Sequence, residues 1–283
     1  MKKRQKNKRK KRLLPRLIAL LIIIAPLTFG WARYVEPKLL TTEKENFYTY
    51  LVDDAAGIRI AIFADTHFSE HYTPDDFSKV VKKINKADPD VVFFLGDLVD
   101  DYENYTGDIS EVTAQLAAIK ANIGKYAVFG NHDYGGNMEF DFPDIMAAGG
   151  FTLLVNDYVS LSDRNVGILG IDDMLLGYGD PDMASRLNPN MFNIVLCHEP
   201  DVVDDMLQYN IDMMFAGHTH GRQVDISYFD DDILPAYGKK YIKGLYTFDS
   251  HRGTQLYVTG GLGTTKLPLR LGTPPEVNII NLI

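Results

Sequence analysis

The chain has a single cysteine, Cys197, among its 283 residues. That excludes an internal disulfide and a thiolate metal cage, so any metal site must use histidine, aspartate, asparagine or glutamate. No H-E-x-x-H helix is present, which removes the zinc-peptidase signature. No repeat of solenoid period recurs, and no low-complexity tract lies beyond the basic N-terminus. Acidic residues are missing from residues 1–32, which carry ten lysines and arginines. The remaining 19 basic side chains face 38 acidic ones, so a strongly basic head precedes a strongly acidic body. Such a body argues against a general nucleic-acid surface, which needs a basic face to displace counterions.

The basic head leads into an apolar run. Residues 17–32 are 16 positions without a charge, about 24 Å as a helix and short of the ~30 Å hydrocarbon core. Counting from Leu13 lengthens the run to 20 residues, with Arg16 reaching toward the headgroups. Nine basic residues before Leu13 favour a cytoplasmic N-terminus, and Trp31 and Tyr34 suit the far interface. The expected organisation is a basic cytoplasmic segment (1–12), a transmembrane anchor (13–34), a connector (35–56) and a folded body (57–283). "GWA" ending at Ala32 also reads as a signal-peptide cleavage site. A retained anchor and a cleaved signal both place the body outside the cytoplasm.

The body alternates strands and helices. "IRIAIFADTHF" reads as a buried strand with a polar end. Thr73-Pro74-Asp75-Asp76 reads as a capped helix start, followed by Phe77, Val80, Val81 and Ile84 at helical spacing. "VVFFLGDLVDD" is a second strand, "DISEVTAQLAAIKANIG" a second helix stopped by Gly124, and "KYAVFGNHD" a third strand. This alternation implies parallel pairing, with reactive groups gathered beyond the carboxyl ends of the strands. From Gly150 an antiparallel meander is expected. "MFNIVLCHEP", the short helix "DVVDDMLQYN" and "IDMMFAGHTHG" come next, and short β-type runs follow Gln223.

The strand ends read "ADTH", "GDLVD", "GNHD", "CHEP" and "GHTH". They carry Asp65, His67, Asp97, Asn131, His132, His198, His218 and His220, five of the seven histidines among them. His71 and His251 read as surface residues. A lone strand-end aspartate usually caps a helix, and a lone histidine is more often hydrogen-bonded than ligating, but neither habit accounts for five such ends together. His218 and His220, two apart on an extended chain, would point the same way.

The series D-x-H, G-D-x-x-D, G-N-H-D, a later histidine and G-H-T-H resembles the calcineurin-like metallophosphoesterase superfamily from Asp65 to His220. It is similar to the membrane-associated bacterial branch of UDP-2,3-diacylglucosamine pyrophosphatase-like enzymes and exported phosphoesterases. The resemblance implies an α/β sandwich of two mixed sheets flanked by helices over residues 57–283. It also implies a phosphoester hydrolase with two divalent ions, manganese, iron or zinc, that share a bridging hydroxide. Asp65, His67 and His220 would hold one ion, and Asn131, His198 and His218 the other, with Asp97 between them. Asn131, Asp97 and His132 would form the catalytic group, His132 stabilising the phosphoryl charge or protonating the leaving group. Asp133 would orient His132 or cap its own segment, and Asp100 would bond loop amides near Asp97.

Where the branch continues G-H-T-H-G-G-Q, this chain has Gly221-Arg222-Gln223. Arg222 either grips a substrate phosphate or points to solvent. The implied substrate is a lipid-linked or cell-envelope phosphoester or pyrophosphate; extracellular nucleotides and wall polymers are the alternative, and nucleic acid is not expected as a partner. Met174, Leu175, Leu176 and Tyr178, and Leu267, Leu269 and Leu271, would either border an apolar substrate tail or fill the core. Loss of Asp97 or His132 would have pointed to a metal-binding scaffold without turnover, and both are present.

Overall fold

A computed structural model of the protein describes residues 2–49, 52–225 and 234–283. Residues 226–233, part of the stretch expected to hold short β runs after Gln223, lie outside the described residues.

Helix α1 (Lys2–Gly30) continues through a π-helical turn, Trp31–Val35, and a 3-10 turn, Glu36–Lys38. Ile18–Lys38 is long and apolar enough to cross a membrane, and Leu21, Ile22 and Leu27 are exposed. An uncovered apolar surface of this kind marks a membrane or partner contact. The helix meets the body at its foot, where Ala32 is buried and its carbonyl accepts the Arg270 amide at 2.9 Å.

Two six-stranded sheets form the body. The first runs β1 (Thr41–Phe47), β12 (Glu276–Leu282), β2 (Arg59–Phe63), β3 (Val91–Phe94), β4 (Gly124–Ala127) and β5 (Thr152–Leu153). The second runs β10 (Gly244–Thr247), β11 (Gln255–Val258), β9 (Met213–Ala216), β8 (Phe192–Leu196), β7 (Val166–Gly170) and β6 (Asp157–Leu161). Strands β2 to β5 are parallel, as are β7, β8, β9 and β11, while β12, β6 and β10 pair antiparallel to β2, β7 and β11. Both sheets are therefore mixed.

Strand β2 shows why the central strands read as continuous apolar runs. Ile60 and Ile62 enter the core between the sheets, whereas Ala61 and Phe63 point to the helical layer. Successive side chains take opposite faces, and a parallel sheet covered on both faces needs apolar residues at every position. Helices α2 (Pro74–Ala87), α3 (Ile109–Ala117) and α4 (Met138–Ala148) cover the outer face of the first sheet. Short α5 (Val203–Met206) packs outside the second. Helix α2 begins at a Thr73–Asp76 capping box and buries Phe77, Val80, Val81 and Ile84.

Three sequence expectations change. Residues 41–47, inside the expected connector, form β1 and pair in full register with β12. Its "TTEKENF" sequence gave no apolar signal because β1 is a largely exposed edge strand. The stretch after Gly150 is not one meander: β5 extends the first sheet in parallel, and only β6 and β7 form an antiparallel pair in the second. Helix α3 stops at Ala117, and Gly124 opens β4 instead of ending the helix. The Lys125 ammonium binds the Leu116 and Ile119 carbonyls there, a charged stop in place of a glycine.

Candidate metal centre

Five loops, each leaving the carboxyl end of a parallel strand, converge where the two sheets meet. They follow β2 (Asp65, His67), β3 (Asp97, Asp100), β4 (Asn131, His132, Asp133), β8 (His198) and β9 (His218, His220). Asp65, His67, Asp97, His198, His218 and His220 are all buried, and Asn131 and His132 are half-buried. Asp65, His67, Asp97, His218 and His220 share left-handed backbone, with φ of 51°, 43°, 60°, 72° and 52°. That conformation costs roughly 1–3 kcal/mol for each non-glycine residue and persists where surrounding structure enforces it. His218 and His220 therefore do not alternate along a strand: β9 ends at Ala216, and positive φ at each residue sets the direction of its ring.

Glycine makes the close approach feasible. A β-carbon on Gly130 would lie 2.6 Å from the Asp97 amide nitrogen and 2.9 Å from His198 Cε1. Gly263 packs its Cα against the Thr66 carbonyl in the same manner.

One donor atom from each of Asp65, His67, Asp97 and His220 falls within a 4.8 Å group, and Asp97, His198 and His218 form a second such group. Asp97 belongs to both. Its Oδ2 lies 3.1 Å from His198 Nε2 and 3.3 Å from His67 Nε2, while its Oδ1 accepts the His132 amide at 2.8 Å. His67 Nε2 and His220 Nε2 are 3.0 Å apart. Asn131 opens the 3-10 turn that carries His132, one residue from that amide.

The outer hydrogen bonds orient the rings. Because a carbonyl or carboxylate oxygen accepts only, His198 Nδ1–H donates to the Leu95 carbonyl at 2.6 Å and His218 Nε2–H to the Ala236 carbonyl at 2.9 Å. His67 Nδ1 faces Asp100 Oδ1 at 3.0 Å. With a metal bound, the other nitrogen of each ring would offer its lone pair to the interior, as metal-ligating histidines do. His132 Nδ1–H donates to the Asp100 carbonyl at 2.6 Å and its ring stays about a quarter exposed, which leaves Nε2 available at the edge of the cluster.

Charges are strongly coupled. Burial alone would raise the Asp97 carboxyl, but His198 and His132 and the hydrogen bonds from His198 and His67 hold it well below its usual range. Burial raises Asp65. His67 is lifted to about 9 because hydrogen bonds to Asp100 and Asp97 outweigh its burial. Burial and the charge of His198 push His218 down to about 4.

These residues fit divalent cations. Asp65 Oδ2 is buried with no hydrogen-bond partner, which costs roughly 1–3 kcal/mol when nothing binds it. Two imidazole nitrogens 3.0 Å apart repel unless a proton or cation lies between them, and bonds of about 2.0–2.1 Å to one ion place neighbouring nitrogens about 3 Å apart. Mixed imidazole and carboxylate donors suit first-row metals better than an all-oxygen cage would.

Asp133 takes the second of its two expected roles, and Asp100 takes one that was not expected. Asp133 does not touch His132; its carboxylate accepts the amides of Asp97, Leu98 and Gly130, each at 2.8 Å, and caps its own turn. Asp100, expected to bond loop amides, instead turns its side chain to His67, with His132 Nδ1 at 3.9 Å. Arg222 has φ 72° and lies 3.9 Å from Asp225 at its Nε. Leu176, Tyr178 and Leu267 are strongly exposed, so these loop residues are not core. The Asp173 carboxylate, which accepts the amides of Leu175, Leu176 and Gly177, holds the first of those loops. His71 and His251 lie on the surface.

Arg270 escaped sequence reading. Its guanidinium is fully buried and donates to the carbonyls of Gly260, Gly263 and Thr273. It thereby fixes the turn whose Gly261 packs against Asp65. A lone arginine in the apolar stretch "KLPLRLGTPP" was the available signal.

The family profile described as calcineurin-like phosphoesterase matches residues 58–222, more than half of the chain. The chain is 36% identical over 259 residues to an uncharacterized metallophosphoesterase, YkuE, of Bacillus subtilis, covering 90% of this chain and 89% of that protein. It is 28% identical to the UDP-2,3-diacylglucosamine pyrophosphatase LpxG of Chlamydia trachomatis, with 93% and 95% covered. To the phosphodiesterase YaeI of Escherichia coli it is 29% identical, with 90% and 93% covered.

Proposed function

Because this chain belongs to the calcineurin-like phosphoesterase family and is thus a metal-using hydrolase, we propose that it cleaves a lipid-linked or cell-envelope phosphoester or pyrophosphate at a binuclear centre. The observation that carries this reading is the convergence of five strand-end loops on one buried cluster, with Asp97 common to both donor groups. Asp65, His67 and His220 would hold one ion and Asn131, His198 and His218 the other, with Asp97 available to both. Manganese, iron or zinc suits that donor set. When bound, two such cations neutralise phosphoryl charge and acidify a water molecule.

The protein's own groups do the rest. Asp97 stays ionised because its imidazole neighbours outweigh its burial. Asp133 fixes the Asp97 backbone and the Gly130 turn together, so Asp97, Asn131 and His132 are positioned as a unit. His132, with Nδ1–H committed to the Asp100 carbonyl, presents Nε2 to a phosphoryl oxygen or to the leaving group, where a positioned proton donor contributes typically 10²–10⁴-fold. Arg222, two residues past His220, is the candidate to grip a substrate phosphate, the alternative being that it faces solvent.

The basic N-terminus and the apolar helix support a single-pass anchor over 13–34 with residues 1–12 cytoplasmic and the catalytic body outside. Exposed Leu176, Tyr178 and Leu267 support an apolar substrate portion, as does the diacylglucosamine substrate in the name of LpxG. A second reading, a phosphodiesterase acting on nucleotides or wall polymers, draws on the name of YaeI.

A panel of phosphomonoesters, phosphodiesters, nucleotides and lipid pyrophosphates, assayed with Mn²⁺ on the purified full-length chain, tests the proposal. Turnover is expected to be highest on the lipid-linked members. Preference for nucleotides would select the second reading, and bound metal without any turnover would indicate a metal-binding scaffold.

A further inference from the structure

A cavity separate from the metal cluster opens at the foot of the N-terminal helix, bounded by Arg33 and Lys38 on the helix side and by His71, Asp76, Gly263 and Thr264 on the body. With its mouth it measures about 400 Å³. The surrounding charges are unequal. Asp76 is engaged by Lys79 at 3.2 Å and by the Thr73 cap, and Glu70, beside it in sequence, lies 3.4 Å from His71. Glu36 is buried and accepts the Trp31 indole N–H at 2.8 Å. Arg33 and Lys38 have no carboxylate within ion-pair distance among the described residues; Arg33 lies 3.4 Å from His71 Nδ1 and over the Tyr34 ring. Thr264 is buried and lines the same opening.

Two cations without a carboxylate partner thus line an opening at the end of a membrane-length helix, on which Trp31 and Tyr34 are exposed. Aromatic rings occupy this position where a helix leaves a bilayer, and basic groups close to a membrane surface attract anionic headgroups. We propose that this cavity binds the phosphate of an anionic glycerophospholipid of the surrounding leaflet and so seats the catalytic body on the membrane. The occupant is a phosphodiester headgroup, distinct from the substrate at the metals.

The cavity wall also reaches the active site. Leu262 and Gly263 donate their amides to the Ala64 and Asp65 carbonyls at 3.1 and 2.7 Å. The Arg270 amide holds the Ala32 carbonyl while its guanidinium holds Gly263. A headgroup in the cavity therefore touches the turn that supports Asp65, which ties membrane seating to the orientation of the site.

This proposal rests on the membrane-anchored reading. Carbonate extraction of membranes containing the chain tests that anchor alone: release into the supernatant would remove the anchor without bearing on headgroup binding by the purified protein. For the cavity, the full-length chain in neutral detergent is titrated with dioctanoyl phosphatidylglycerol, dioctanoyl phosphatidylcholine or inorganic phosphate, with bound lipid counted by native mass spectrometry. Phosphatidylglycerol is expected to saturate one site, with phosphatidylcholine and phosphate much weaker. An Arg33→Gln, Lys38→Gln variant should lose roughly 10- to 30-fold in apparent affinity while keeping its melting temperature and its turnover of a soluble aryl phosphodiester. Equal phosphatidylglycerol binding by wild type and variant would overturn the assignment. So would equal binding of both lipids, or inorganic phosphate binding as tightly as the lipid.

Discussion

Replacing Asp100 with alanine should weaken one metal position and leave the other largely intact. Asp100 Oδ1 lies 3.0 Å from His67 Nδ1, its side chain 28% exposed, and it is the carboxylate that holds this imidazole with Nε2 facing Asp97 and His220. A hydrogen bond to a charged group contributes roughly 1.5–3 kcal/mol net, and partial exposure together with imperfect alignment of the His67 Nδ1–H places this 3.0 Å contact at the lower end. At about 1.4 kcal/mol per factor of ten, affinity should fall at least tenfold. Loss of such outer partners typically costs 10–100-fold in metal affinity. His198 and His218 take their outer hydrogen bonds from the Leu95 and Ala236 carbonyls, which the substitution does not touch. Calorimetric titration of metal-stripped protein with Mn²⁺ or Zn²⁺ should therefore resolve one unchanged and one weakened site. Asp100→Asn, which keeps an acceptor oxygen, should fall between wild type and alanine. Two unchanged sites, or equal weakening of both, would refute the assignment of Asp100 to His67.

Other expectations follow from the same geometry. His132→Ala should lower kcat on an aryl phosphodiester by roughly 10²–10⁴-fold with full metal content by elemental analysis; loss of metal along with activity would make His132 a ligand. Gly263→Ala should destabilise the protein by roughly 1–3 kcal/mol, read as a lower melting temperature and weaker metal binding, because the added methyl meets the Thr66 carbonyl; an unchanged melting temperature would count against tight packing there. In the metal-free chain, His67 at about 9 against an ordinary 6.5 contributes stability that is complete below pH 6.5 and lost as pH rises through about 9, roughly 3 kcal/mol at most. Metal must displace that proton, so the gain in melting temperature on adding metal should grow from pH 6.5 to 9; a constant gain would contradict the His67 assignment.

The sequence exposed what depended on local chemistry. The capping box at Thr73, the buried run of β2 and the five polar strand ends all carry their signals within a few residues. What it hid depended on distant partners. Strand β1 acquires its structure from β12, more than 200 residues away, and its exposed "TTEKENF" shows no periodicity of its own. Asp100 and Asp133 are both aspartates beside ligand candidates, and only the fold decides that one faces His67 while the other gathers three amides. Strand alternation predicts that His218 and His220 point the same way, yet both lie beyond the end of β9 with left-handed backbone. Arg270 makes its hydrogen bonds to backbone carbonyls, a contact that no side-chain motif announces.

Asp97 carries the central claim, since its carboxylate alone belongs to both buried donor groups. The most direct test measures metal content and turnover of a generic aryl phosphodiester for wild type and Asp97→Asn, purified in parallel with Mn²⁺. Asparagine keeps the shape and removes the charge that two cations would share. The account predicts metal-dependent turnover by the wild type, and in the variant reduced metal occupancy with hydrolysis abolished. Full activity in purified Asp97→Asn would contradict it.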